Sequence, residues 1–246
     1  MVRASPEGSF WDHLEELRQR ILVVLGVLTV STLTALIAFG RTLTGFVISR
    51  GPSELLALSP SEALVAHLKV SLVAGIILSS PVGFYHLWRF ISPGLLDRER
   101  KVSAAAAASC FLLFAGGALF AWFLMLEPVT GVLQSFEGGT IRGGWSVSSY
   151  IGFVGRMVLV FGVAFELPVL VLLLVGLGVL RPSTLARYRR HVIVALLVAA
   201  AILTPPDPLT QVMLAAPLYL LFELSVLAAR VTGLGKRTGA AGEEVA

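Results

Sequence analysis

Carboxylates are scarce in this 246-residue chain, which holds 15 acids among 56% hydrophobic residues. Their positions are therefore where chemistry could occur. Residues 89–101, RFISPGLLDRERK, set Asp97 and Glu99 among Arg89, Arg98, Arg100 and Lys101, between two long apolar runs. Residues 9–22, SFWDHLEELRQRIL, set Glu15 and Glu16 beside Arg18 and Arg20, just ahead of another apolar run. Glu166, in VAFELPVL, is the only carboxylate in the interior of a long apolar segment, away from its ends. Carboxylates of the first two kinds can pair with guanidinium or ammonium groups. The third can dock a polar group or hold a proton.

A charge deep in a bilayer costs at least about 2.5 kcal/mol. Glu166 should therefore be neutral, hydrogen-bonded or facing water. It could equally be a structural carboxyl that serves backbone groups freed by the nearby Pro168. In residues 9–22, Leu14, Leu17, Ile21 and Leu22 recur at helical spacing, and Glu15–Arg18 and Glu16–Arg20 are spaced as helical ion pairs. Taken alone, that stretch reads first as a solvated interfacial turn. Glu223 and His191 read as interfacial residues. No H-E-x-x-H, G-x-S-x-G, Cys–His pairing or phosphate-cradling glycine loop ending in Lys occurs, so no enzyme activity is expected.

The elements that must position these residues follow from composition. Charged residues make up 14% of the chain and mean hydropathy is +0.87, whereas soluble domains carry about a quarter charged residues. The expected class is an all-α polytopic membrane protein. Cys110 is the single cysteine, so no disulfide framework can form. Glu7, Asp12, Glu15 and Glu16 near the start argue against a cleavable leader.

Six spans are expected, at about 21–39, 66–88, 103–126, 150–175, 190–204 and 209–229, given about 20 residues per crossing. They form a single transmembrane domain over 1–246, with 231–246 as a flexible tail. Most of the 19 bases cluster in the N-terminal segment, in the connections after spans two and four, and in the tail. The positive-inside rule then places both termini in the cytoplasm. Residues 40–65 read as a connection with a short helical cap started by Ser59 and Pro60. Residues 127–149 read as a Gly-rich loop. The fifth span holds only about 13 apolar residues, roughly 20 Å of helix, before TPPDP at 204–208 stops it. Pro81, Pro168 and Pro217 should bend spans two, four and six, and Gly116-Gly117 should allow close helix packing.

Several of these stretches together carry a resemblance. HLEELRQRI, SSPVGFYHLWRFISPGLLDRERK, FGVAFELPVLV and LTPPDPLTQVMLAAPLYLLFE resemble, in order and over nearly the whole chain, the TatC family of twin-arginine translocase core subunits. That resemblance implies a glove-like bundle of six helices with a concave face and short helices five and six. It implies a receptor in the inner membrane for folded proteins bearing S-R-R-x-F-L-K-like signals, with transport driven by the proton gradient. The implied partners are those signal peptides, single-span TatA and TatB type subunits and further copies of the chain; no cofactor, metal or nucleic acid is implied.

By the resemblance, Glu16 and Glu99 bind the signal, with Arg18, Phe90 and Arg100 beside them. Glu166, Asp207, Gln211, Val212 and Met213 are the intramembrane polar or partner-docking positions, and Pro52 is an outer-loop structural proline. His86 stands where many members carry Gln. On that reading, two guanidinium groups of a twin-arginine signal meet two carboxylates that can each accept a bidentate fork. Such pairs are worth only about 0–1 kcal/mol when exposed, so partial desolvation is needed. A proton-coupled secondary transporter using Glu166 is the alternative; it predicts half-to-half internal symmetry, which the sequence lacks. A purely structural membrane scaffold is a third class, and it predicts no peptide binding.

Overall fold

A computed structural model describes the backbone of residues 6–52, 55–91, 103–137, 144–180, 182–203 and 207–231. The chain divides into two compact units, Met1–Gly45 with His67–Phe111, and Phe46–Ala66 with Leu112–Ala246. Helix α1 spans Pro6–Ile48, 43 residues without a break. Its lead-in and its apolar run are thus one element. Thr29 and Thr34 are tolerated inside it because each hydroxyl bonds back to the carbonyl four residues earlier, at 2.8 Å.

Helix α2 spans Glu62–Ile91 and keeps Pro81 inside it. In the first unit α1 and α2 approach closely at Gly75, where an added Cβ would stand 2.8 Å from the Thr32 Cα. His67 Nδ1 lies 2.7 Å from the Thr44 hydroxyl and 3.2 Å from the Gly40 carbonyl oxygen. The Trp88 indole N–H donates to the Cys110 sulfur at 3.1 Å. These contacts satisfy polar atoms that lipid could not.

Among the described residues, the connection between α1 and α2 holds no separate cap helix, contrary to the expectation for 40–65. Ile48 ends α1, and Ser59, Pro60 and Ser61 form the turn that opens α2 directly, with the Glu62 N–H donating to the Ser59 carbonyl at 3.1 Å. Between them lies strand β1, Leu55–Leu56, paired in parallel with β2, Trp145–Ser146, in the register Leu55↔Trp145 and Leu56↔Ser146.

The third long helix also runs further than expected. Helix α3 (Ser103–Phe120) passes through a π-helical turn (Ala121–Met125) into α4 (Leu126–Ser135), so the Gly-rich connection begins only after Ser135. Pro128 lies in the first turn of α4, where a missing N–H is tolerated, and the wider π turn accommodates the carbonyls it would otherwise clash with.

Helix α5 (Val147–Ala164) is capped by Ser146, whose hydroxyl accepts from the Ser149 N–H at 3.2 Å. Phe165 and Glu166 then interrupt the span, and α6 (Leu167–Gly176) resumes with Pro168 in its first turn. The interruption is a tightened turn in which the Glu166 N–H donates to the Val163 carbonyl at 3.0 Å. Gly117 bears out the close-packing expectation, since an added Cβ would meet the Phe161 backbone. Gly116 has nothing nearby.

Short helix α7 (Pro182–Arg187) leads into α8 (Arg189–Leu203) and α9 (Pro208–Val231). At 15 and 24 residues, α8 and α9 are the shortest of the six long segments. Among the described residues, five stretches are long and apolar enough to cross a membrane: Leu14–Ile48, Glu62–Phe90, Ala107–Ser135, Val147–Gly176 and Pro208–Val231. The sixth, α8, is roughly 22 Å long against an apolar layer of about 30 Å. In the second unit Leu126, Met157, Phe161, Leu214 and Leu218 are almost fully enclosed. Elsewhere large apolar side chains face outward, with Ile37 83% and Ile202 73% exposed, as a lipid-solvated protein requires.

Candidate functional site

In the first unit, the lead-in of α1 brings Glu16 and Phe90 to one place through Arg20. The Arg20 guanidinium pairs with the Glu16 carboxylate at 2.5 Å and sits 5.7 Å from the centroid of the Phe90 ring. Helical spacing makes the first contact, because residues four apart stack on one face. The second is a cation–π contact with the last turns of α2. Arg20 is largely enclosed, with its side chain 12% exposed, while Glu16 remains 43% exposed. The carboxylate is thus oriented by Arg20 and remains partly exposed. Arg18 points elsewhere and pairs with Glu15 at 3.3 Å, both side chains well exposed. Glu99 and Arg100 lie outside the described residues.

Arg20 was not among the expected site residues, although its i,i+4 spacing to Glu16 was legible. Its contact with Phe90, 70 positions further along the chain, was not.

The second group of expected residues does not form one cluster. Asp207 caps α9: its carboxylate accepts from the Thr210 N–H at 2.9 Å, and Pro208 occupies the first helical position. The Thr210 N–H holds the Asp207 carboxyl below its usual range, with a further bond from the Thr210 hydroxyl. Gln211 is also committed, since its amide donates to the Leu197 carbonyl of α8 at 2.7 Å and ties the two short helices together. Val212 is 59% exposed and Met213 half-buried. Glu166 sits half-buried at the interruption between α5 and α6.

Val171 and Val175 of α6 share a buried cluster with Ala229 of α9. Counting back from it at 1.5 Å per residue, Glu166 lies roughly 13 Å away and Asp207 roughly 33 Å away. Glu166 is therefore a mid-helix group, and Asp207 belongs to the far end.

Two further polar centres escaped the sequence reading. Arg189 of α8 grips Glu223 of α9, with Nη2 donating to Oε2 at 2.8 Å and Nε 2.7 Å from Oε1, while the Tyr219 hydroxyl donates to the same carboxylate at 2.8 Å. Glu223 thus has a bridging role between helices rather than a merely interfacial one.

The other centre is Glu62, which is 6% exposed. Its carboxylate accepts from the Leu58 N–H at 2.5 Å, the Ser148 N–H at 2.8 Å and the Ser146 hydroxyl. Pro52 stands in this region, between the end of α1 and β1. No cluster of three or more potential metal ligands occurs among the described residues.

A family profile described as "Sec-independent protein translocase protein (TatC)" matches residues 12–217. The chain is 36% identical to the Sec-independent protein translocase protein TatC of Aquifex aeolicus, over 92% of this chain and 96% of that one. It is 36% identical to the TatC of Helicobacter pylori strain J99, covering 89% and 88% respectively, and 35% identical to TatCd of Bacillus subtilis, covering 87% and 88%. Two crystal structures described as the twin arginine translocase receptor TatC superpose with TM-scores of 0.79 and 0.81 at 35% and 36% identity. They cover 89% and 88% of this chain.

Proposed function

Because the chain belongs to the TatC family of Sec-independent protein translocase components, we propose that it is the receptor that reads twin-arginine signal peptides of folded cargo at the cytoplasmic face of the inner membrane. Both termini are cytoplasmic in this reading, as the distribution of bases favours. The protein is a multi-pass component of a transport machine, acts without catalysis of its own, and recruits single-span TatA and TatB type subunits and further copies of itself. The proton gradient drives the passage of cargo.

The observation that carries this reading is the Glu16–Arg20–Phe90 arrangement. A guanidinium group of the signal approaches the exposed side of Glu16 and completes a bidentate pair there. Arg20 holds the carboxylate in a fixed orientation, which lowers the ordering cost of forming that pair. Phe90 offers a flat ring beside it. Glu99 supplies the second carboxylate, and Arg18 and Arg100 make the surround unfavourable for a generic cation. Lysine signals bind more weakly because ammonium cannot make the planar fork.

Photo-crosslinking of a twin-arginine peptide to membranes holding the full chain tests this. Glu16→Ala and Glu99→Ala each weaken crosslinking, the double change abolishes it, and raised salt weakens the wild type. Undiminished crosslinking in the double variant refutes the assignment.

A further inference from the structure

In the second unit, the residues that follow α1 and the outer part of α4 enclose a cleft of about 480 Å³, within the range of about 300–1,000 Å³ typical of small-ligand sites. One cation and one carboxylate line it, Arg50 and Glu127, together with the amide of Gln134 and the backbone of Pro52 and Gly131. The two charges do not pair with each other, and none of the three polar side chains has a hydrogen bond or ion pair among the described residues. Thr130, also in the wall, spends its hydroxyl on the Leu126 and Glu127 carbonyls. An added Cβ on Gly131 would meet nothing within 4 Å, so the cleft stays open on that side.

Arg50 is nonetheless held in place. Its guanidinium lies 5.0 Å from the Phe123 ring centroid and 5.7 Å from that of Trp122, and Trp122 stacks on Phe46 at 4.9 Å. Phe46 is 56% and Phe123 53% exposed. The site therefore lies just beyond the apolar span that ends at Ile48 and against the last turns of the one that ends at Ser135, with an aromatic belt below it of the kind found at headgroup level. A ligand seated there has its polar end between opposite charges and an apolar end along exposed aromatic rings.

We propose that this cleft binds the headgroup of a phospholipid carrying both a phosphate and a primary ammonium, a phosphatidylethanolamine. Arg50 takes the phosphate by a forked pair, and Glu127 accepts from the ammonium, with Gln134 available to either. An anionic headgroup without a cation leaves a negative charge facing Glu127. A trimethylammonium headgroup has the charge and lacks the N–H donors. The site should therefore discriminate by headgroup rather than by chain.

The test is lipid retention by the purified full chain in nanodiscs, read by native mass spectrometry, with phosphatidylethanolamine, phosphatidylcholine or phosphatidylglycerol of identical acyl chains as probes. The wild type should hold phosphatidylethanolamine about tenfold more tightly than either other lipid, a difference one charge-assisted bond can supply. Glu127→Gln should bring phosphatidylethanolamine down to the phosphatidylcholine level, and Arg50→Gln should weaken all three.

Soluble glycerophosphoethanolamine should compete poorly, because it has no chains to lie on the rings. Competition as strong as that of the intact lipid would place the ligand in solution and overturn the lipid assignment. Equal retention of the three lipids by the wild type would overturn the proposal without recourse to any variant. Selectivity that survives Glu127→Gln in protein with unchanged thermal melting would do the same.

Discussion

Gly116 and Gly117 are neighbours in α3, yet replacing each with alanine should change stability in opposite directions. At Gly117 an added Cβ would lie 2.9 Å from the Phe161 carbonyl carbon and 2.9 Å from a carbon of the Phe165 ring, with the Phe161 oxygen closer still. Ordinary carbon contacts are about 3.5–4.0 Å. Helices α3 and α5 would thus have to separate by more than about half an ångström, since backbone cannot rotate away. Overpacking of this kind costs about 1–3 kcal/mol. At Gly116 nothing lies within 4 Å, so alanine there gains about 0.5–1 kcal/mol of helix propensity. The propensity gain applies at both positions, so the two variants should differ by the overpacking cost, about 1–3 kcal/mol. At about 2–4 °C per kcal/mol for a chain of 150–250 residues, Gly117→Ala should melt several degrees below wild type in detergent micelles and Gly116→Ala slightly above it. Because Phe161 lies five residues before Glu166, Gly117→Ala should also reduce export while leaving peptide crosslinking intact. Shifts of the same sign and size would refute the close approach of α3 and α5.

At Glu166, Gln should support export nearly as well as Glu while Ala fails, with peptide binding unchanged; failure of Gln in normally assembled complexes would assign the residue to proton transfer instead. The Asp207 carboxyl is held below its ordinary value by the Thr210 N–H, so the cap contributes above the unfolded carboxylate range and is lost as pH falls through the lowered folded value. Amide exchange at Thr210 should accelerate on such acidification in the wild type, and Asp207→Asn, which keeps an accepting oxygen, should remove most of that pH dependence.

The six long segments were legible because lipid imposes length and apolarity on each crossing, although α1 runs to Ile48, past the expected end at 39. The stop after Leu203 and the interruption at Phe165–Glu166 followed from proline, which acts locally. The extension of the third helix to Ser135 did not, because a π turn has no signature in composition and residues 127–149 read as a Gly-rich loop. At the candidate site, Glu16 and its i,i+4 partner Arg20 were visible in helical spacing. The role of Arg20 was not, since it depends on Phe90 of another helix. Glu62 was silent for the same reason: it bonds to residues 84 and 86 positions later in the chain.

That distance has a bearing on how the protein is made. Glu62 opens the second long helix, and Ser146 and Ser148 stand after the third, so its carboxylate can reach them only when the intervening hairpin of two crossings has brought both of its ends to the same side. Until then a buried acid, the unpaired edge of β1 and the start of α5 all lack their partners. A chain whose hairpin has failed to cross leaves these polar groups without those partners. The Glu62 carboxylate thus ties the start of the second long helix to residues beyond the end of the third.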